Sequence, residues 1–445
     1  MVGLALLAAS AMAPLPNLVL LFCDDAGYGD FGFSGHPTIE TPQLDRMARE
    51  GTRLTQFYSA SPACTASRYA VLTGRYPGRS GLAWVLNPDS PRGIHPRETT
   101  IAELLKARGY ATGIFGKWHL GYPNEKNLFA PERLPLAHGF DEYLGIPYSN
   151  DMLPPNHPPL RLLRGPSSKG DPVAGYETIT DQLDQTTLAS RLTDAAVSFV
   201  ERHREGPFFL YVPFPEPHIP LHPGPAFQGK SRRGTYGDVI MEVDASVGRI
   251  LESLRRLQLD RRTLVVFTSD NGPWVLRGLG GGSAGLFRDG KGSTWEGGVR
   301  EPSIWWQPGT VPAASTREDV ASTMDVFPTF ARLAGASPPQ KIDGADVWPL
   351  VRSGIPLPKR PYYYTGLNNE VFAVREGRWK LHRKTYSQLG LKYFEDPMPL
   401  LFDLEVDPSE TKNAAASHPD VVAHLQELLA GFDARLKADG TYWDQ

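Results

Sequence analysis

The sequence is poor in cysteine and in net charge. Its 445 residues include two cysteines, too few for a disulfide framework, and neither a CxxC pair nor a Cys/His zinc spacing occurs. The 46 Lys and Arg side chains nearly balance the 49 Asp and Glu side chains, which leaves a net charge of −3. This balance gives no electrostatic reason to expect nucleic acid or an anionic membrane as a partner.

Long apolar runs are also missing, apart from the amino terminus. Residues 2–13 are apolar and small, but they are too short to span a bilayer and lack a basic n-region. Because Ala11-Met12-Ala13 resembles an A-x-A cleavage site, we interpret residues 1–13 as the remnant of a signal peptide, with a frayed apolar leader as the alternative. The N-x-S/T sequon is absent as well, which favours a bacterial exported protein, periplasmic or secreted, without membrane insertion.

The chain does contain β-rich apolar runs that alternate with helical patterns. Its length favours one large domain plus a smaller one, and its 41 prolines and 44 glycines predict long structured loops. The predicted strands are Asn17–Phe22, Tyr110–Phe115, Phe208–Val212 and Thr263–Thr268. The predicted helices run from Pro42 to near Gly51 with Thr41 as N-cap, and over Thr100–Arg108, Leu188–Arg204 and Asp238–Leu257. This alternation predicts an α/β fold with a large mixed, mainly parallel sheet flanked by helices.

The pattern changes after Leu350, where a proline-bounded segment is followed by four short β-rich runs and a terminal amphipathic helix. The short strands are predicted at Tyr362–Tyr364, Val371–Val374, Trp379–His382 and Leu400–Leu404, and the helix at Val421–Leu436. We therefore predict a catalytic domain over residues 14–355 and a smaller C-terminal subdomain over residues 356–445, with an antiparallel sheet and one covering helix.

Polar residues follow each of the four long predicted strands. They are Asp24 and Asp25, then Lys117 and His119, then Glu216 and His218, and finally Asp270 and Asn271. Ligands of parallel α/β sheets bind beyond the carboxyl ends of the strands, so we expect these groups to meet at one edge. Three carboxylates and an amide oxygen suit a hard divalent cation, Ca²⁺ before Mg²⁺, although each pair taken alone is more often a turn or a helix cap.

Basic side chains and one cysteine accompany these oxygen donors. Cys64 lies in a small-residue segment closed by Arg68, with Arg75 further on, and a thiol beside cations is a candidate nucleophile because positive charge favours the thiolate. A buried, inert thiol is the commoner role of a free cysteine. Lys117 and His119 alternate along an extended segment and so are predicted to share a face.

His218 lies in a proline-rich loop and Lys291 lies between two glycines. Together with the metal ligands, these cations suit a sulfate or phosphate ester, and histidine suits proton transfer near neutral pH.

Five motifs resemble, in order, those of the sulfatase family, a formylglycine-dependent branch of the alkaline-phosphatase-like superfamily. The resemblance covers nearly the whole chain and is closest to the arylsulfatase A and N-acetylgalactosamine-6-sulfatase branch. The motifs are Asp24-Asp25-Ala26-Gly27-Tyr28-Gly29-Asp30, Cys64-Thr65-Ala66-Ser67-Arg68 with Leu72-Thr73-Gly74-Arg75, Gly116-Lys117-Trp118-His119, Asp270-Asn271-Gly272, and Gly290-Lys291-Gly292 through Glu296-Gly297-Gly298-Val299-Arg300.

The resemblance implies hydrolysis of aryl or carbohydrate sulfate esters to an alcohol and inorganic sulfate. It implies that a formylglycine-generating or anaerobic sulfatase-maturating enzyme converts Cys64 to formylglycine (3-oxoalanine), whose hydrate forms a covalent sulfo-enzyme intermediate. The calcium ligands it implies are Asp24, Asp25, Cys64, Asp270 and Asn271.

The resemblance also implies a role for each polar side chain around the ester. Arg68 would hold the hydrate, His119 would take a proton from it, and His218 would lie near the leaving oxygen. The implied sulfate contacts are Lys117, Lys291, His218 and Ser149. Asn150 stands where a histidine is expected, and Ala66 replaces the commoner proline of the maturation motif, so the choice and efficiency of the maturation enzyme stay open.

Two alternatives fit the same residues. A phosphonate monoester or phosphodiester hydrolase of the same superfamily would use the same groups, because the two ester monoanions have similar charge and shape. A non-catalytic binder of sulfated glycans would keep Cys64 unmodified. Trp84, Trp118 and Trp274 are candidates for stacking on a substrate ring, although a core position is commoner. The natural substrate depends on loops such as 154–175 and 274–286, and neither it nor the oligomeric state follows from the sequence.

Overall fold

The computed structural model describes residues 14–122, 133–167 and 175–445. The predicted signal segment, residues 1–13, lies outside these ranges. The described residues form seventeen strands: β1 Asn17–Cys23, β2 Thr52–Leu54, β3 Phe57–Tyr58, β4 Ala111–Lys117, β5 Glu142–Ile146, β6 Leu162–Gly165, β7 Glu177–Thr180, β8 Phe208–Pro213, β9 Thr263–Ser269, β10 Arg300–Glu301, β11 Ile304–Trp306, β12 Ser315–Arg317, β13 Ala321–Ser322, β14 Tyr362–Thr365, β15 Val371–Glu376, β16 Trp379–His382 and β17 Leu400–Asp403. The same residues form nine α-helices: α1 Pro42–Glu50, α2 Cys64–Thr73, α3 Ile101–Lys106, α4 Leu188–Arg202, α5 Thr235–Arg256, α6 Glu296–Val299, α7 Val326–Leu333, α8 Trp348–Ser353 and α9 Pro419–Asp439.

Ten strands form one large sheet in the order β12-β2-β11-β9-β1-β8-β4-β5-β6-β7. The five central strands, from β9 through β5, run parallel, whereas β11, β6 and β7 add antiparallel pairs at the sides. This confirms the prediction of a mixed, mainly parallel sheet. Each of the four long predicted strands is present, and the observed bounds differ from the predicted ones by at most two residues.

Strand β1 shows why the central strands are continuous apolar runs. Leu18, Leu20 and Phe22 pack into one core cluster, and Val19 and Leu21 pack into another on the opposite face. Helices α4 and α5 cover the second face and α3 and α7 cover the first. A strand that is buried on both faces has no solvent side to alternate with, so its sequence is apolar throughout.

Helix starts follow the sequence signals only in part. Thr100 caps α3 in a capping box with Glu103, as its position predicts. Thr41 precedes α1, but its side chain makes no cap. Its hydroxyl accepts from the backbone N–H of Gly32 and donates to Asp45 instead.

A separate antiparallel sheet, in the order β14-β15-β16-β17, follows residue 355. Helix α9 covers it with three buried side chains, of which Phe432 stacks on Tyr363 with ring centroids 3.8 Å apart. The small sheet and its covering helix agree with the prediction. The exact boundary at residue 355/356 stays a prediction.

No helix within residues 14–122, 133–167 and 175–445 combines the length and apolarity that a membrane span requires.

Candidate active site

Four neighbouring parallel strands deliver polar groups to one edge of the large sheet. Strands β9, β1, β8 and β4 lie side by side, and the polar groups that follow them are buried except for the half-buried Glu216. The groups at this edge are Asp24, Asp25, Lys117, His119, Glu216, His218, Asp270 and Asn271. The polar residues that were predicted to meet beyond the carboxyl ends of these strands therefore lie at one edge of the sheet.

A fifth strand contributes residues that the strand-end argument missed. Strand β5 runs parallel to β4 and ends at Ile146, three residues before Ser149. The Ser149 hydroxyl accepts a hydrogen bond from Lys117 Nζ at 3.1 Å. Asp151 follows Ser149. Burial alone would raise the pKa of the Asp151 carboxyl, but the charge of His218 and a hydrogen bond from Ser149 outweigh burial, so the pKa is lower than usual. The sequence signal that could have predicted this contribution is the short run Glu142–Ile146, which forms the parallel strand β5.

The first turn of helix α2 lies against these strand ends. Cys64 is the first residue of α2, and its Sγ lies 3.4 Å from Asp24 Oδ1 and 3.4 Å from Lys291 Nζ. Arg68, one turn later, donates to Asp270 at 2.8 Å and lies 3.4 Å from Asp24. The second arginine of the motif, Arg75, was grouped with the site from the sequence, and this is wrong. It lies beyond the far end of α2, where it pairs with Glu98 at 2.6 Å.

The oxygen donors form a compact cluster. Ligand atoms of Asp24, Asp25, Cys64 and His218 lie within 4.8 Å of one another. Asp270 joins the cluster by accepting the backbone N–H of Asp25 at 3.1 Å, and the Asn271 amide donates to Asp25 at 2.8 Å. These groups could hold a metal ion.

The donor set fits a hard divalent cation. Asn271 Oδ1 is buried and has no hydrogen-bond partner among the described residues. An amide oxygen beside three carboxylates therefore accepts no hydrogen bond from these residues. Carboxylate and amide oxygens are the ligands that Ca²⁺ and Mg²⁺ prefer. Because a buried acceptor without a donor is costly, an approaching cation would stabilise the arrangement.

Three cations balance the three carboxylates. Lys117 Nζ donates to Asp24 at 2.5 Å, and Lys291 Nζ donates to Asp25 at 2.8 Å. Burial raises the pKa of Asp24, but Lys117, His218 and Arg68 outweigh burial and hold it well below its usual range. Burial and the charge of Asp24 raise the pKa of Asp270 to about 7, because three carboxylates at one place repel one another.

Cys64 is not the thiolate that its cationic neighbours predicted. Burial, followed by the charge of Asp24, raises the pKa of its thiol, and Lys117 and Lys291 offset this only in part. The side chain is a neutral thiol at physiological pH. As an unmodified cysteine it is therefore a poor nucleophile, since the thiolate is the reactive form.

His119 reaches the site by a different geometry from the predicted one. Strand β4 ends at Lys117, and His119 has a left-handed backbone with φ of 58°, so the two side chains do not alternate along one extended segment. Its Nε2 lies 2.8 Å from the carbonyl oxygen of Leu86, which can only accept, so Nε2 carries the proton. Nδ1 is then a free, buried acceptor with no partner in the part of the chain that the structure describes. Burial and Lys117 lower the pKa of His119 well below its usual value, so the ring is neutral.

His218 is oriented in a similar way. Its Nδ1 lies 2.6 Å from the carbonyl oxygen of Ile219, so Nδ1 carries the proton and Nε2 points to Asp25 at 3.5 Å. Burial and the charge of Lys291 lower the pKa of His218. Both histidines thus anchor one nitrogen on a backbone carbonyl. The other nitrogen points to Asp25 in His218 and has no partner among the described residues in His119.

Of the three tryptophans considered as stacking candidates, one borders the site. Trp274 is half-buried, and its ring lies 4.5 Å from Lys291 Nζ and 5.4 Å from the ring of His218. Trp118 belongs to the core and donates to the carbonyl of Arg133, and Trp84 donates to Ser61.

Comparison with known proteins assigns the chain to a family. Residues 16–336 match the family model described as Sulfatase. The chain belongs to the sulfatase family. Residues 282–435 also match the model described as N-sulphoglucosamine sulphohydrolase, C-terminal.

Two curated relatives and one solved structure illustrate how far this sulfatase resembles others. It is 41% identical to arylsulfatase A of Bos taurus, with 97% of this chain and 91% of the relative covered. It is 41% identical to N-acetylgalactosamine-6-sulfatase of Mus musculus, with 92% and 83% covered. The crystal structure of the PsFucS1 sulfatase from Pseudoalteromonas sp. superposes with a TM-score of 0.83 at 28% identity, covering 95% of this chain and 91% of that one. These relatives are sulfuric ester hydrolases by name, and this sulfatase is an enzyme of that class.

Proposed function

We propose that this sulfatase hydrolyses aryl or carbohydrate sulfate esters at residue 64, after conversion of Cys64 to formylglycine. The observation that carries the proposal is the position of the Cys64 side chain, 3.4 Å from both Asp24 and Lys291 at the start of α2. A neutral, buried thiol has little reactivity of its own there. As the hydrated aldehyde, residue 64 would offer two hydroxyls on one carbon, one to attack sulfur and one to expel sulfate.

Calcium, held by Asp24, Asp25, Asp270, Asn271 and residue 64, would supply a divalent charge against the ester oxygens. The buried acceptor of Asn271 and the mutual repulsion of the carboxylates support this ion.

The chain's own cations would bind the ester. Lys117 and Ser149, already joined at 3.1 Å, present an ammonium and a hydroxyl on one side of residue 64, and Lys291 presents an ammonium on another. Arg68 holds Asp270 in place and adds positive charge without exposure to water. Such preorganised charge stabilises an anionic transition state more strongly than flexible surface groups do.

The two histidines would move the protons. His119 Nδ1 is a free acceptor on a neutral ring, and Thr65, next to Cys64, donates to the His119 carbonyl at 3.1 Å. His119 is therefore the base for a hydroxyl on residue 64. His218 Nε2 lies 3.5 Å from Asp25, on the Lys291 side, and would lie near the leaving oxygen. Because the neutral ring carries its proton on Nδ1, His218 would have to gain a second proton at Nε2, facing Asp25, before it could give one to the departing alcohol.

Maturation would need a partner enzyme, either formylglycine-generating or anaerobic sulfatase-maturating. Because Cys64 is 2% exposed and lies in a helix, such an enzyme would have to act before the chain folds. We further propose an exported protein, periplasmic or secreted, on the strength of the apolar amino-terminal residues.

The test is a kinetic comparison on matured, calcium-loaded protein. We expect 4-nitrophenyl sulfate to be turned over with a kcat/KM at least tenfold above that of a 4-nitrophenyl phosphonate monoester. The reverse preference would assign a phosphonate hydrolase. Binding of a sulfated oligosaccharide without turnover of either ester would assign a non-catalytic binder.

A further inference from the structure

A turn in the C-terminal region lies over the loop that carries Lys291. The turn spans Ser387 to Gly390, closed by a hydrogen bond from the Gly390 N–H to the Ser387 carbonyl at 3.1 Å. The Ser387 hydroxyl accepts the N–H of Leu389 at 3.2 Å, and Ser387 itself is buried. Gln388 is the second residue of this turn, so it is presented on a well-defined backbone.

A second contact fixes the turn to the Lys291 loop. Tyr393, which follows the turn, hydrogen-bonds Ser387 and donates from its hydroxyl to Asp289 at 3.0 Å. The Asp289 carboxylate also accepts the N–H of Gly290 at 2.8 Å. The C-terminal segment is thus attached to the residues that immediately precede Lys291.

The Gln388 side chain lies directly over Gly292. A Cβ added at Gly292 would lie 2.7 Å from Gln388 Nε2 and 2.8 Å from its Cγ, so position 292 has no room for a side chain. Gly292 also has a φ of 87° and donates its N–H to Pro62, two residues before Cys64. The Gln388 side chain therefore packs on Gly292, the residue that follows Lys291 in the loop that is hydrogen-bonded to the segment before Cys64.

The carboxamide has polar groups without partners. Gln388 Oε1 is buried, and neither the oxygen nor the nitrogen hydrogen-bonds any residue in the ranges that the structure describes. An apolar residue would fill the same space without leaving a buried acceptor unpaired, which is unfavourable. Gln388 is half-buried as a residue, and its amide nitrogen has no partner in the described ranges. Since this nitrogen lies over the residue that follows Lys291, it can donate to a ligand bound there.

We infer that Gln388 is a specificity-determining residue that hydrogen-bonds the alcohol portion of the ester. This inference rests on the proposed function, since the ester binds at Lys291 and residue 64. Two parts of the chain would then contact two parts of the substrate: the strand-end groups bind the sulfate, and the C-terminal turn binds the alcohol portion. Esters with a hydroxyl or amide near the sulfate gain this contact, and plain aryl sulfates do not.

The experiment compares Gln388→Met with the wild type on three esters. Methionine keeps the length of the side chain over Gly292 but cannot donate to the substrate. The probes are N-acetylgalactosamine 6-sulfate, 4-nitrocatechol sulfate, which has a hydroxyl beside the ester, and 4-nitrophenyl sulfate, which has none. Gln426→Met, an exposed position on α9, is the matched control.

We expect kcat/KM of Gln388→Met to fall about tenfold or more on at least one of the two hydroxyl-bearing esters and less than twofold on 4-nitrophenyl sulfate. An equal fall on all three esters, or no fall on any, would overturn the inference. Unchanged thermal unfolding of the variant separates a lost contact from a lost fold. Wild-type protein that hydrolyses none of the three would refute the proposed function instead, so the two failures are distinguishable.

Discussion

This sulfatase has two clusters of buried charges, and they are built differently. The site cluster consists of Asp24, Asp25, Asp270, Lys117, Lys291 and Arg68. The junction cluster, between the large sheet and the C-terminal sheet, consists of Glu296, Glu410, Lys380, His382 and Arg300.

In the junction cluster Lys380 Nζ lies 2.9 Å from both Glu296 and Glu410, and each carboxylate has further donors. Glu296 accepts from Tyr58 at 2.7 Å, Lys380 at 2.9 Å, Tyr364 at 3.1 Å and Arg300 at 3.2 Å. Burial raises the pKa of Glu296, but Lys380 and Arg300 outweigh burial and lower it to about 2. Both carboxylates of this cluster are therefore paired, and its one buried nitrogen without a partner among the described residues is His382 Nδ1.

In the site cluster the carboxylates face one another. The pKa of Asp270 is raised to about 7 while that of Asp24 is lowered, and Asn271 Oδ1 and His119 Nδ1 lack partners among the described residues. A cluster that holds a fold together pairs its charges internally. The site cluster also matches its three carboxylates with three cations, but it leaves the buried amide oxygen of Asn271 without a donor, so that a bound cation can complete it.

The largest effect should come from residue 64. Cys64→Ala is expected to reduce hydrolysis of 4-nitrophenyl sulfate by at least about 10⁴-fold, because loss of a nucleophile leaves only binding and electrostatics. The matched control is Cys23→Ala, the other buried cysteine, at the end of β1. We expect that variant to retain activity. More than a few per cent of wild-type activity in Cys64→Ala would contradict a nucleophile at this position.

His119→Ala should come next, with kcat lowered about 10²-fold to 10⁴-fold by loss of the base at Nδ1. Steady-state kinetics and a thermal melt would measure it. His424→Ala changes an exposed histidine that pairs with Glu376 on the outer surface, and it should leave kcat unchanged. An equal loss of kcat in His119→Ala and His424→Ala would contradict a proton-transfer role for His119.

Removal of the cation should cost about 100-fold or more in kcat/KM, because the divalent charge then no longer balances the ester and the carboxylates. The measurement is activity after dialysis against a chelator, followed by titration with Ca²⁺ or Mg²⁺. We expect recovery with Ca²⁺ at lower concentration. Full activity in the chelator would exclude a divalent ion from the site.

Substitutions in the junction cluster should lower the stability of the fold rather than the rate of hydrolysis. Glu296→Gln leaves Lys380 and Arg300 short of a buried partner and should lower the free energy of unfolding by about 3–5 kcal/mol in urea titrations. Because folding lowers the pKa of Glu296 from 4.5 to about 2, its contribution is complete above pH 4.5 and is lost as the pH falls towards 2. The variant should therefore show a flatter acid limb of stability than the wild type. Glu427→Gln, exposed on α9, is the control, and matching acid limbs would contradict the junction role.

The sequence sufficed for the features that depend on strand order alone. The apolar run Asn17–Phe22 followed by two aspartates predicted both a buried strand and a polar edge, since parallel strands end together. The motifs around Cys64, Lys117 and Lys291 predicted the family. None of these inferences needed a side-chain position.

The features that depend on local backbone and burial could not be predicted. The left-handed backbone at His119 takes this residue out of the extended segment that ends at Lys117, and no periodicity encodes it. The pKa of Cys64 depends on how far burial outweighs nearby lysines, which spacing does not give. Arg75 lies outside the site because the ten-residue helix α2 begins at Cys64 and Arg75 follows its opposite end. Gln388 lies about a hundred residues from Lys291, and only tertiary packing brings the two together.

The most direct test of the account is the mass of the tryptic peptide that contains residue 64, measured on enzyme of known specific activity. Cleavage after Arg53 and Arg68 releases residues 54–68. Formylglycine makes this peptide lighter than the cysteine form by one sulfur and two hydrogens, offset by one oxygen. We predict that the fraction of lighter peptide rises in proportion to sulfate ester hydrolysis across preparations. Fully active enzyme whose peptide carries only the unmodified thiol would contradict the account.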